Sequence, residues 1–283
     1  MKNKKVLITG AKGQLAQIFK EKLSSENEVF LLTKKDLNIA KFDQVEKVLL
    51  DKKPDIIFNC AAYNLVDQAE HDWQKALSVN GMALKYLAIC SKKINARLVH
   101  YSSDYVFPGE KQEYNIADQP KPINKYGQSK LLGEKMVKDF ANKYFIIRTS
   151  WLFGKNPKSS FPLKVLNWAK GRDSLKIVAD QTGSPTFVGD LAEVSINLSQ
   201  TDNFGLYHFS NNGQCSKYDW AKLILKQIGW KGKLEKAKAS DFKTLAKRPK
   251  STNLNNFPIE EILNYKTPSW QDATKRFLNN LNI

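Results

Sequence analysis

"KKVLITGAKGQLAQIFKEKLSS", Lys4 to Ser25, sets a four-residue apolar run, a glycine-punctuated turn and an amphipathic pattern in direct succession. A run that short, stopped by Gly10, reads as a strand, and the apolar spacing behind it reads as a helix. The lysines ahead of it imitate a secretory leader, but the apolar run is far too short for one. The same alternation continues downstream. "NEVFLL", "PDIIFNCA", "ARLVHYSS" and "YFIIRTS" are strand candidates, separated by the helical patterns "KFDQVEKVLLDKK" and "HDWQKALSVNGMALKYLAICSKK" and by a helix beginning near Asn124. Continuously apolar strands alternating with helices predict a parallel sheet covered on both faces, a doubly wound α/β fold of the Rossmann kind.

After about Ser150 the rhythm weakens into prolines, glycines and aromatics around isolated helical patches. Residues 1–150 are therefore expected to form the dinucleotide-binding domain, with 177–210 returning to it. Residues 151–176 and 211–283 are expected to form a smaller, discontinuous substrate-binding lobe over the strand ends. No repeat or low-complexity linker separates the two.

The chain has 283 residues and a formal net charge of +17, but 40 of its 45 basic residues are lysine, scattered along every segment. Without an arginine–aromatic stripe this argues against nucleic acid as a partner, while a positive field would favour a small anionic substrate. No apolar run approaches a bilayer span, so the expectation is a cytoplasmic protein with no membrane partner. Cys60, Cys90 and Cys215 lack metal-ligand spacing and read as reduced thiols; His71, His100 and His208 read as structural, and no metal is expected.

"GAKGQLA" places Gly10, Gly13 and Ala16 as G-x-x-G-x-x-A between the first strand and first helix. Glycines there let the backbone turn tightly against a pyrophosphate, and the helix amino terminus supplies N–H donors to it. The second strand ends in Thr33, Lys34 and Lys35 where an acid would bind the ribose of NAD, and Asp36 follows. Lysines there suit a 2′-phosphate, so the reading is NADPH, with NADH tolerated.

"SSDYVFPG", Ser102 to Gly109, ends the fourth strand on two hydroxyls, an aspartate and an aromatic. Such a hydroxyl is either a loop cap or a ligand for a substrate oxygen. Tyr126 and Lys130 follow in "YGQSK" at i, i+4, which puts them on one helix face. A neighbouring cation would favour the phenolate of Tyr126, which then protonates a carbonyl oxygen as hydride arrives, with Ser103 orienting that oxygen. The order of glycine turn, strand-end hydroxyl and Tyr-x-x-x-Lys places these groups at the carboxyl edge of the sheet and makes Ser103 catalytic in this reading.

On "GAKGQLA", "PDIIFNCAAYNLVDQAE", "VHYSSDYVFPG", "NKYGQSKLLGE", "RTSWLFG", "DQTGSPT" and "KRPKSTNL" the chain resembles the extended short-chain dehydrogenase/reductases, and within them the dTDP-4-dehydrorhamnose reductase family, nearly end to end. The resemblance implies NADPH-dependent reduction of the 4-keto group of dTDP-4-dehydro-6-deoxy-L-mannose to dTDP-L-rhamnose. It implies Ser103, Tyr126 and Lys130 as catalytic residues. Cofactor contacts would come from Gly10, Gly13, Gln14, Leu15, Asp36, Leu37, Ala61, Ala62, Tyr63, Asn80, Tyr126 and Lys130. Sugar contacts would come from Ser103, Asp104 and Trp151, with Arg248 on the diphosphate. Ala16 departs from the glycine usual there, and Asn64 and Leu65 depart beside the sugar pocket, which puts the exact sugar in question. A non-catalytic NADP-binding regulatory subunit of the same fold, or a sister nucleotide-sugar reductase or epimerase, is the rival; an intact Ser103, Tyr126 and Lys130 set favours an enzyme. Whether the chain forms a homodimer is left open.

Overall fold

The computed structural model of the chain describes residues 1–156 and 160–281, so 157–159 and 282–283 of the expected small lobe lie outside the described residues. Five strands alternate with helices in the first half: β1 (Lys5–Thr9), α1 (Gln14–Leu23), β2 (Glu28–Leu32), α2 (Phe42–Lys52), β3 (Ile56–Asn59), α3 (Trp73–Leu77), α4 (Ala83–Lys93), β4 (Arg97–Ser103), α5 (Lys125–Phe140) and β5 (Tyr144–Thr149). The second half holds β6 (Leu152–Phe153), α6 (Phe161–Ala169), β7 (Ser174–Val178), β8 (Thr182–Gly183), β9 (Thr186–Phe187), α7 (Val188–Leu198), β10 (Gly205–His208), β11 (Cys215–Ser216) and α8 (Lys217–Gln227). It closes with β12 (Lys233–Ala237), β13 (Ser251–Thr252), α9 (Ile259–Leu263) and α10 (Trp270–Asn279).

A six-stranded sheet in the order β10-β5-β4-β3-β1-β2 organises the molecule, and all its pairings are parallel. The strand alternation decides its two cores. Val6, Ile8, Ile56, Phe58, Val99, Phe145 and Ile147 face one way, against Phe19 of α1 and Leu191 and Val194 of α7. Leu7, Ile57, Leu98 and Ile146 face the other way, against Leu49 of α2, Leu87 of α4 and Val137 of α5. Both faces being apolar is why these strands read as unbroken hydrophobic runs.

The expected helix over 71–93 is interrupted. Between α3 and α4, Ser78–Met82 forms a π turn that carries Asn80 and Gly81 into the interior. A wider turn of this kind is a local insertion at fixed composition, and helical periodicity alone does not signal it. The return of the chain to the large domain also begins later than 177. β7 pairs with β12, and β8 with β11 and β13, all within the small lobe. Within 177–210, α7 and β10 rejoin the sheet side, and α9 later packs on the same core through Ile259. The small lobe has its own core of Phe153, Val165, Leu175, Trp220, Ile224, Trp270 and Phe277.

Candidate active site

The chain runs from β1 outward to β2, then back across β1 to β3, so the sheet has its switch point between β1 and β3. Open parallel sheets bind ligands beyond the carboxyl ends of strands at such a point. A cavity of about 380 Å³ lies there, lined by Gly13–Leu15 after β1, Asn59–Ala62 after β3, Tyr101–Asp104 at the end of β4, Thr149–Leu152 after β5, and Tyr126 and Lys130 of α5.

Gly10 ends β1 with φ +66°, and a β-carbon there would fall 2.7 Å from the Ala61 nitrogen. The turn therefore packs directly on the loop after β3 and needs glycine twice over, for conformation and for space. Gly13 caps α1 without any side-chain hydrogen bond, which leaves first-turn N–H groups of α1 without intrahelical partners beside the cavity. Gln14 Oε1 is buried without a hydrogen-bond partner. This cradle fits a dinucleotide pyrophosphate, which would accept from those amides.

Ala61 and Ala62 line the cavity, as do Gly13, Gln14, Leu15, Tyr126 and Lys130, whereas Asn80, Tyr63, Leu37 and Asp36 have their side chains engaged within the protein. Asn80 is 1% exposed and spends its side chain on the protein. Its Oδ1 accepts from Tyr63 N at 2.8 Å, and its Nδ2 donates to Tyr63 O at 2.9 Å and to Ser129 Oγ at 3.0 Å. Asn80 is thus a brace that ties the loop after β3 to α5. Tyr63 is held by that brace and by its phenol, which donates to Asp72 at 3.1 Å. The Leu37 side chain belongs to the core beneath α2 and α4, leaving only its backbone for a ligand. Asp36 folds back on its own loop, with Oδ2 accepting from Thr33 N at 2.9 Å and Thr33 Oγ1 at 2.7 Å, and these bonds hold its carboxyl below the usual range.

At the end of β4 the two readings of Ser103 meet in one side chain. Its Oγ accepts from Tyr105 N at 3.1 Å, capping the turn Asp104–Val106, and donates to Asp104 Oδ1 at 2.9 Å. Tyr126 lines the same cavity, and the Ser103 hydroxyl favours its phenolate. Tyr126 sits in the first turn of α5, whose cap is Asn124 Oδ1 accepting from Gly127 N at 2.8 Å. Burial, followed by the Asp104 charge, pushes the Tyr126 phenol up, with the Ser103 hydroxyl opposing. The net shift is therefore upward, so the phenol holds its proton at neutral pH. One turn on, Lys130 is 3% exposed and donates to Tyr101 O at 2.5 Å. Its pKa is lowered to about 8 by burial, against the pull of Glu134. A phenol that keeps its proton and a buried cation one turn away form an acid pair suited to delivering a proton.

Asp104 is 3% exposed and lifted to about 6 by burial, offset by the Thr252 and Ser103 hydroxyls and the Lys217 charge. Trp151 lines the cavity with φ +43°, an uncommon conformation for a bulky residue, of the strained kind that concentrates at functional sites. A β-carbon on Gly183 would fall 2.7 Å from its indole, and Lys217 Nζ stands 3.5 Å from the ring centroid. Arg248 lies outside the cavity lining: it grips Asp67 through Nη1 and Nη2, at 3.0 and 2.6 Å, and donates from Nη1 to Ala246 O at 3.1 Å. A diphosphate would have to share or displace Asp67. Three residues escaped the sequence reading. Thr149 lines the cavity at the end of β5, as part of the stretch "RTSW". Lys217 and Glu134 come from distant segments, and no spacing rule connects them to the site.

Comparison with known proteins was consistent along the whole chain. The family described as "RmlD substrate binding domain" matches residues 4–283. A protein of Aggregatibacter actinomycetemcomitans named dTDP-4-dehydrorhamnose reductase is 37% identical over 286 residues, spanning 96% of this chain and 97% of the relative. The spore coat polysaccharide biosynthesis protein SpsK of Bacillus subtilis is 37% identical over 276 residues, 97% and 96% of the two chains. Among solved structures, dTDP-4-dehydrorhamnose reductase of Bacillus anthracis in complex with NADP superposes with a TM-score of 0.95 at 38% identity, over 98% of this chain and 99% of that one.

Proposed function

Because the chain belongs to the RmlD family, shared by the dTDP-4-dehydrorhamnose reductases it matches, we propose that it reduces the 4-keto group of dTDP-4-dehydro-6-deoxy-L-mannose to give dTDP-L-rhamnose. One observation carries the chemistry: Ser103, Tyr126 and buried Lys130 line a single cavity, which the uncapped α1 terminus overlooks. NADPH, when bound, supplies the hydride for C4.

The protein's own residues do the rest. Ser103 and Tyr126 hold the C4 oxygen, and Tyr126 gives it a proton as negative charge develops there. Lys130 stabilises the phenolate left behind and, once its ribose partner is in place, exchanges the Tyr101 carbonyl for it. Trp151 covers an apolar face of the sugar. Lys34 and Lys35 receive the 2′-phosphate, because the neighbouring Asp36 carboxylate is already committed to Thr33. NADH remains a usable but weaker cofactor.

The test is NADPH oxidation with the enzymatically prepared keto-sugar, followed by identification of the product. Tyr126→Phe should cut turnover by about 10²- to 10⁴-fold, the usual reach of a positioned acid, while leaving NADPH affinity within about twofold. Wild-type turnover in that variant would remove Tyr126 from its role. Robust NADPH binding by the unaltered protein with no oxidation would instead support the non-catalytic reading.

A further inference from the structure

Asp104 has no part in the proton delivery just described, yet it is hydrogen-bonded to a residue that has. Ser103 Oγ donates to Asp104 Oδ1 at 2.9 Å, and both residues line the cavity that Tyr126 also lines. Ser103 thus stands between the carboxyl group and the site where Tyr126 acts. The carboxyl group lines the cavity and is 3% exposed. The groups that face it come from four elements: Ser103 at the end of β4, Tyr126 of α5, Lys217 at the start of α8 and Thr252 of β13, together with Tyr105 of its own turn. None of these is a second carboxylate, and Lys217 is the cation among them.

We propose that Asp104 is the proton reservoir of the site, reloading Tyr126 through Ser103 after each reduction. The inference rests on the reductase reading and deepens it. The relay balances. C4 gains a hydride from the reduced nicotinamide, and its oxygen gains the Tyr126 proton. The phenolate takes the Ser103 proton, and Ser103 takes that of the Asp104 carboxylic acid. Two O–H bonds break and two form along the relay, no electrons move within it, and the carboxylate regains a proton from water when product leaves. Burial supplies the condition this needs: lifted to about 6, the carboxyl keeps roughly a tenth of its population protonated at pH 7, where an ordinary carboxyl keeps almost none. Lys217 works against that lift, its own pKa being lowered to about 7 by burial.

A relay separates two steps that a merely structural residue would change together. Asp104→Asn keeps the shape and a hydrogen-bonding oxygen but has no proton to give. In a single turnover with enzyme in excess, its hydride transfer should fall by much less than its steady-state kcat, since Tyr126 starts loaded. In steady state kcat should fall by about tenfold or more, and the decline of kcat with rising pH expected of the wild type should vanish. Lys217→Met removes the charge that favours the carboxylate, so it should displace that decline to higher pH. The same displacement should appear in the cofactor-free protein as a raised titration midpoint of the Asp104 carboxyl ¹³C resonance.

Equal losses in single turnover and steady state for Asp104→Asn would make the residue a sugar contact and overturn the relay. An unchanged kcat and pH profile would overturn it too, as would an unmoved carboxyl midpoint in Lys217→Met. If the unaltered protein fails to reduce the keto-sugar at all, the reductase reading falls and the relay with it. Normal wild-type turnover beside a normal Asp104→Asn sinks the relay alone.

Discussion

Lys130 shows how one side chain can be placed by sequence and still be misjudged. Its position, one turn after Tyr126, is dictated by the i, i+4 spacing, but its surroundings come from β4, which no spacing reveals. Burial against the Tyr101 carbonyl brings its pKa to about 8, so the ammonium is present below that pH and lost above it. If the cation stabilises the Tyr126 phenolate as it forms, kcat/KM should fall as pH rises through about 8. Reloading of Tyr126 comes after hydride transfer and is invisible to kcat/KM, so this limb is separate from the one assigned to Asp104 in kcat. Lys130→Met should lower kcat/KM by about 10²-fold at neutral pH and flatten that limb; a pH profile identical to wild type would deny the lysine its part. Lys34 and Lys35 allow a second residue-scale test. Replacing both with serine should weaken NADPH more than NADH by about tenfold, since each exposed cation near a phosphate contributes roughly 0.7 kcal/mol. Equal weakening would place the 2′-phosphate elsewhere.

Helix α5 is the element on which the site turns, and it is fastened from both sides. On one side Gly133 lets it approach the π turn so closely that a β-carbon would fall 2.1 Å from the Asn80 carbonyl oxygen. On the other, Glu134 accepts from Arg148 Nε at 2.9 Å and Nη2 at 2.7 Å, and from Ser102 Oγ at 2.5 Å, with both charges 1% exposed. The pair sets the height of α5 against β4 and β5, and so the distance from Tyr126 to Ser103. Removing one partner of such a buried pair leaves an uncompensated charge and costs about 3–5 kcal/mol. Glu134→Leu should lose stability of that order in chemical denaturation, and Glu134→Leu combined with Arg148→Met should recover most of it. A double variant no more stable than the single one would mean the pair itself, rather than the orphaned arginine, carries the stability. The helix start near Asn124 was legible because asparagine capping is local. Neither the ion pair nor the π turn was legible, because both are settled by contacts between elements far apart in sequence.

Across the whole molecule, the alternation of apolar runs with amphipathic ones was enough to read the parallel sheet, since strands buried on two faces have no polar face to hide them. The small lobe was read in outline only. β7, "SLKIV", alternates exposed and buried residues like any half-covered strand, and nothing within it says that its partner is β12, sixty residues on. The two regions are joined where β10 meets the closing loops. His208 of β10 is fully buried there, with Nδ1 3.2 Å from Tyr114 O and Nε2 3.4 Å from Arg148 Nη1, while Tyr114 itself bonds Asn253 and Asn255 through its backbone. Burial first, and then the Arg148 charge, lower its pKa to about 3. Unfolded, the imidazole takes a proton near 6.5. Between those values the unfolded chain binds a proton that the folded chain refuses, so His208 withdraws stability as pH falls below about 6.5, by on the order of a few kcal/mol at its fullest. His100 is shifted the same way by burial, whereas Asp104, raised to about 6, adds stability as pH falls. The difference between two proteins isolates the one group. His208→Gln can still accept from Arg148 and donate to Tyr114 but does not titrate. Its denaturation midpoint should therefore fall less than that of the wild type between about pH 7 and pH 5. Parallel curves would mean that the histidine is protonated within the folded protein, and that the junction between sheet and closing loops opens before the sheet does.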